Sequence, residues 1–214
     1  MNDYSKFLKE AYGSYMLPLG GKKVPAPYRI NIPYQSDPKR NGKSPPLELI
    51  KNTKEAAKEQ DFDLEKATVE EIQQFMYQNM LGIDCSGFVY HLLDDLLKNI
   101  DKVGMEEIGF PRASRTNVEI LTSGEFTDKI NISDIQPGDL IRLNSDSASK
   151  IQHIIIAISK ELGFVTYGHS SRKTAVKGVH KDNISYGKLP HELHVYSYNP
   201  GNSQDGVYRL KALQ

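Results

Sequence analysis

The residue on which chemistry can turn is Cys85, the only cysteine in 214 residues, set in the segment GIDCSGFVYHLL. The texture changes there from small and polar to an apolar run of helical period. The thiol therefore falls in the predicted first turn of a helix. Unsatisfied amides and the positive end of the helix dipole favour a thiolate at such a place, and the same amides can face an oxyanion. A depressed thiol pKa is the expectation. Asp84 is the candidate N-cap, and Gly87 lets another backbone or a substrate approach closely. A lone cysteine also packs as a small buried hydrophobe, so the nucleophile reading needs a base. His153 heads HIIIAIS, a continuous apolar run that reads as a strand buried on both faces, and His169 closes FVTYGH sixteen residues later. Two adjacent antiparallel strands would bring the rings together. That supplies a nucleophile, a base and an orienting group in the order Cys85, His153, His169.

The elements that must position these groups can be read from period and punctuation. Residues 4–15 carry Phe7, Leu8, Ala11 and Tyr15 at helical spacing. Seven of the eleven prolines fall between Pro18 and Pro46, where missing amide donors and fixed φ forbid long regular elements. Tyr28, Ile30, Ile32 and Tyr34 alternate within that stretch, which suggests an arm wrapped along another surface. Helices are predicted over residues 46–60 and 68–79, the second opened by Thr68 with Glu71 three residues on, a capping-box pattern. A buried helix over residues 85–98 presents Phe88, Val89, Leu92, Leu93, Leu96 and Leu97 on one broad face, and a shorter one covers residues 115–121. QPGDLIRL, QHIIIAIS, GFVTYGH, LHVYSY and VYRLKAL then supply five β-rich runs bounded by turn residues. Helices first and strands after give an α+β fold with an antiparallel sheet of about five strands. No internal repeat is present.

Composition excludes several function classes. Lys plus Arg and Asp plus Glu number 27 each, so no net field draws nucleic acid or an anionic membrane from a distance. No apolar run of about 18 residues occurs, and the start lacks the basic-then-apolar pattern of a secretory signal; a cytoplasmic location without a membrane span is the expectation. One cysteine forms no intramolecular disulfide and no Cys-rich zinc site. His191 and His194 in HELHVYSY would face opposite sides of a strand, so they are set aside as a chelating pair and no metal or other cofactor is expected. NGKSPP lacks the glycines of a phosphate loop.

Taken together, DCSGFV (residues 84–89), FPRASRTN (110–117), IQPGDLIRL (135–143), HIIIAIS (153–159) and GHSS (168–171) resemble, in order, the blocks of the NlpC family of papain-like cell-wall cysteine peptidases. The resemblance covers roughly residues 80–180. It implies a papain-like catalytic domain over 80–214, with 1–79 a helical and proline-rich elaboration packed on it. It makes Cys85 the nucleophile, His153 the general base and acid, and His169, or its neighbour Ser170, the group that orients the base. Asp84 and Ser86 would grip the free amine of a substrate. The tyrosine that usually shortly precedes the family's nucleophile has no near counterpart, Tyr28 and Tyr34 standing about fifty residues earlier. The implied activity is hydrolysis of amide bonds in small peptides, of the D-glutamyl-diamino acid type found in cell walls, through a thioester. The rival readings are an acyltransferase or amidase using the same Cys-His site on another small amide, and a non-catalytic peptide-binding module.

Overall fold

The computed structural model describes residues 4–29, 42–144, 152–171, 178–185 and 204–214. The chain opens with α1 (Ser5–Ser14), whose Leu8, Ala11 and Tyr12 are buried, and turns directly into a hairpin of β1 (Met16–Leu19) and β2 (Lys22–Pro25). The turn is Gly20-Gly21, both at positive φ, the conformation a two-residue hairpin loop demands. No other residue fits at Gly20, where a Cβ would stand 1.9 Å from the Leu64 carbonyl oxygen. Two helices follow, α2 (Pro46–Glu59) and α3 (Val69–Gln78), the latter with both halves of its capping box formed by Thr68 and Glu71. The central helix is α4 (Cys85–Ile100), capped by the Asp84 side chain and buried along ten residues. The predicted short helix is a single 3-10 turn (Ala113–Arg115) followed by α5 (Val118–Leu121).

The remaining strands, β3 (Thr127–Ile130), β4 (Leu140–Asn144), β5 (Gln152–Glu161), β6 (Phe164–Ser171), β7 (Gly178–Ser185) and β8 (Gly206–Leu210), pair antiparallel in the order β3-β8-β4-β5-β6-β7. The α+β class is therefore found, with two corrections. Among the described residues the sheet has six strands, not about five, and a second sheet of two strands stands among the helices. β3 (TDKI) and β7 (GVHKDNIS) escaped detection because neither is an apolar run. The β1–β2 hairpin was hidden by its prolines, although LGGK carries a hairpin signal. The segment LHVYSY lies outside the described residues.

Alternation along β5 sends Ile154, Ile156 and Ile158 into the core shared with α1 and α4, and Ile155 and Ala157 into a second cluster with Ile141, Leu143, Val165 and Tyr167. β5, headed by His153, is thus apolar on both sides, as expected. The PGDL turn is pinned where it enters β4: Arg209 grips both oxygens of Asp139, at 2.8 Å each, and the Gln136 amide donates to the same carboxylate. Phe88 joins the parts, its ring edge-on to Tyr12 and Tyr15 from the N-terminal segment and close beneath Gly168 of β6. α1 and the hairpin therefore share one core with the nucleophile helix. Phe88→Ala should destabilise the protein by about 3–5 kcal/mol, read as a lower urea midpoint at unchanged m-value. A loss below about 1 kcal/mol would show that this junction carries little of the fold's stability.

Candidate active site

Asp84 sits in extended conformation ahead of α4, and its Oδ1 accepts the Gly87 amide at 2.6 Å, the bond that fixes where the helix begins and so where Cys85 stands. The same oxygen receives the Lys43 ammonium at 2.8 Å and the Ser86 hydroxyl at 3.2 Å, while Lys43 also donates to Ser86 Oγ at 2.5 Å. Lys43, Asp84 and Ser86 are all at least nine-tenths buried. Lys43 is held in turn by its own backbone: its carbonyl accepts from His91 Nε2 of α4 at 2.7 Å, and burial keeps that ring below its ordinary pKa, hence neutral at neutral pH. The expectation that Asp84 and Ser86 await a substrate amine thus meets a different occupant, an ammonium from the chain itself. Gly87 makes the approach possible, since a Cβ there would press on Lys43 Cδ at 2.9 Å and the Gly42 carbonyl oxygen at 3.0 Å.

Lys43 belongs to one of two N-terminal stretches strapped to the loop before Cys85. The Asp84 amide donates to the Gly42 carbonyl, the Ile83 amide to Pro27, and the Arg29 amide to Ile83, so Tyr28 and Lys43 both form bridges with Ile83. The wrapping arm is real at its two ends; Ile30, Ile32 and Tyr34 lie outside the described residues. Tyr28, fifty-five residues from Ile83 in sequence, is thereby brought beside the nucleophile loop.

Cys85 is buried at 7 % exposure, and the backbone amides of Ile154 and Ser86 lie near enough to its thiol to favour the thiolate. Ile154 follows His153, so the thiol lies against the head of β5. His153 Nε2 stands 3.3 Å from His169 Nδ1, and His169 Nε2 stands 3.0 Å from Asp182 Oδ2. The structure brings the two predicted histidines together and gives Ser170 another task, donation to the Ile83 carbonyl at 2.7 Å. Sequence reasoning missed Asp182. It lies on β7, two residues beyond His180, which pairs with His169 across the β6–β7 ladder, so all three side chains share one face. Burial first, and then the neighbouring His169, hold His180 below its ordinary pKa. His191 and His194 lie outside the described residues.

A carboxylate only accepts hydrogen bonds, and that fixes the direction of the whole chain. His169 Nε2 carries the proton given to Asp182. Its Nδ1 then offers a lone pair, which receives the Nε2 proton of His153. Neutral His153 is left with the lone pair on Nδ1. Three groups in series thus hold the ring in the tautomer that a base requires.

The thiol itself departs from expectation. Burial pushes Cys85 up to about 12 and the Asp84 carboxylate adds to the rise; the Lys43 ammonium and the two amides oppose it without prevailing. The helix terminus loses because the thiol is buried, and the carboxylate that caps the helix beside the sulfur adds to the rise.

The NlpC/P60 family model matches residues 72–187, more than half of the chain, spanning Cys85, His153, His169 and Asp182. No curated protein and no solved structure matches.

With the thiol protonated at rest, iodoacetamide alkylation of the native protein should be slow at neutral pH and still rising at pH 10. A plateau with its midpoint below the free-thiol value of about 8.5 would restore the depressed pKa. The same shift acts on stability. The unfolded thiol ionises first, so stability tied to Cys85 is full below about pH 8.5 and falls as pH climbs toward 12.

Proposed function

The chain belongs to the NlpC/P60 family, whose chemistry is that of cell-wall peptidases and amidases, and from that premise we propose that it is a cysteine hydrolase cleaving amide bonds in small cell-wall-derived peptides of the D-glutamyl-diamino acid type. The observation that carries this reading is the hydrogen-bonded series His153, His169, Asp182 beside a thiol at a helix N-terminus. Cys85 Sγ attacks the carbonyl carbon as its proton passes to His153 Nδ1. The first-turn amide of Cys85 faces the oxyanion that forms. His153, now an imidazolium backed by His169 and the Asp182 charge, protonates the leaving amine and the C–N bond breaks. Water then gives a proton to His153 and attacks the thioester, releasing the acid and restoring the thiol. A buried, neutral thiol fits this order of events, because sulfur is deprotonated only as the base takes its proton.

Substrate recognition follows from Lys43. Asp84 and Ser86 already hold an ammonium, so a substrate α-amine is not what they read, and bonds inside a peptide are met as readily as those next to a free terminus. N-acetylation of a good peptide substrate should therefore change kcat/KM by less than about three-fold, under ~0.7 kcal/mol at 1.4 kcal/mol per decade. A loss of ten-fold or more would return the amine grip to Asp84. On defined muropeptides, Cys85→Ala and His153→Ala should each cost at least ~100-fold in kcat/KM. His169→Asn should retain more activity than His169→Ala, since an amide oxygen still accepts the His153 N–H. Asp182→Asn should cost about 10–100-fold, mainly in kcat. Undiminished hydrolysis by Cys85→Ala would end the proposal.

A further inference from the structure

We propose that His169, His180 and Asp182 form a binding site for a divalent transition-metal ion, Zn2+ by preference, and that the ion switches the active site off. Each residue turns one ligand atom into the same space, and the three atoms lie within 4.8 Å of one another. Asp182 Oδ2 is 3.0 Å from His169 Nε2 and 3.8 Å from His180 Nε2. A tetrahedral ion with bonds of about 2.0–2.1 Å sets its ligands about 3.3–3.4 Å apart, a value between the two carboxylate distances, so sub-ångström shifts suffice on the Asp182 side.

His180 carries the argument. Its Nδ1 stands 2.8 Å from the Gly178 carbonyl, which only accepts, so Nδ1 bears the proton and Nε2 the lone pair. That lone pair is buried, makes no hydrogen bond, and faces the Asp182 carboxylate. Two acceptors face each other across 3.8 Å, a pairing that a cation held between them would favour. A histidine that donates one ring N–H to a backbone carbonyl and offers the other nitrogen is oriented as metal-bound histidines are. The frame is stiff: His169 and His180 oppose each other on paired strands, and Asp182 follows on the same face. Access is open, since the Asp182 side chain is one-third exposed. Two imidazoles and a carboxylate suit Zn2+ and leave a fourth position to water.

The inhibitory half rests on the hydrolase reading above, because His169 serves both sites. With the metal on His169 Nε2, that ring's proton resides on Nδ1 and points at His153. His153 Nε2 must then accept, so its own proton moves to Nδ1, the atom that takes the thiol proton. Each ring exchanges an Nε2–H for an Nδ1–H; the proton count is unchanged and the base is lost.

Binding is tested where Cys85 cannot contribute. Zn2+ titrated calorimetrically into full-length Cys85→Ala protein should bind with one ion per chain. Co2+ should give tetrahedral visible bands. Adding His180→Gln, or separately Asp182→Asn, should weaken binding at least about ten-fold, with melting curves confirming that each variant is folded. No binding to Cys85→Ala protein, or binding untouched by both added substitutions, overturns the site. With Cys85 intact, Zn2+ inhibition of muropeptide hydrolysis, scaled to each protein's metal-free rate, should be at least about ten-fold weaker in His180→Gln. Stoichiometric binding without inhibition would keep the site and overturn the switch. Binding in a protein that hydrolyses no muropeptide at all would keep the site while the proposed hydrolysis fails.

Discussion

One oxygen of Asp84 accepts the Gly87 amide, the Lys43 ammonium and the Ser86 hydroxyl, and those three bonds decide where the Cys85 thiol stands. The first starts α4. The second ties that start to a strand-like stretch of the N-terminal arm, and the third orders the residue after the thiol. A buried ion pair recovers its desolvation cost only when its geometry is good and further hydrogen bonds complete it. Here the Ser86 hydroxyl, the helix amide and the His91 bond to the Lys43 carbonyl supply that completion. Removing Lys43 alone would leave a buried carboxylate without its cation, a change of about 3–5 kcal/mol felt first at the catalytic turn. Residues 42–44, remote in sequence, are therefore part of the site's architecture.

The histidines obey a similar constraint from the opposite edge. Asp182 sets the tautomer of His169, which sets that of His153. Neither ring alone has a preferred proton position strong enough to be relied on; an acceptor-only group at the end of the series removes the ambiguity. The antiparallel ladder makes this possible because it fixes His169 opposite His180 and places Asp182 on the same face.

Much of this was legible in the sequence, and the exceptions share a cause. α1, α2, α3 and α4 were readable because period, Thr68–Glu71 and the Asp84 cap are local signals. Cys85, His153 and His169 were readable because each stands at the edge of an apolar run. Lys43 was not, since a lysine among prolines gives no sign that it will be buried against residues forty-one positions away. Asp182 was hidden in GVHKDNIS, a strand whose polar residues mask its period, and the β1–β2 hairpin was hidden by the prolines around its two glycines. Beyond that local hairpin, what escaped was contact between segments far apart in sequence, Lys43 with Asp84 above all, which only the assembled sheet and the strapped arm create.

In the proposed mechanism the two carboxylates, finally, act on the two ends of one proton transfer with opposite sign. Burial first, and then Asp84 beside the sulfur, raise the energy of the thiolate, and Lys43 opposes them without prevailing. Asp182, at the far end of the histidine pair, lowers the energy of the imidazolium that results when His153 takes the proton. With both, the thiol stays protonated at rest and gives up its proton only as the attack on carbon begins. The helix cap that suppresses the nucleophile and the relay that activates its base are thus balanced parts of one mechanism. The balance is set by where one helix cap, one strand and one arm place three charged side chains.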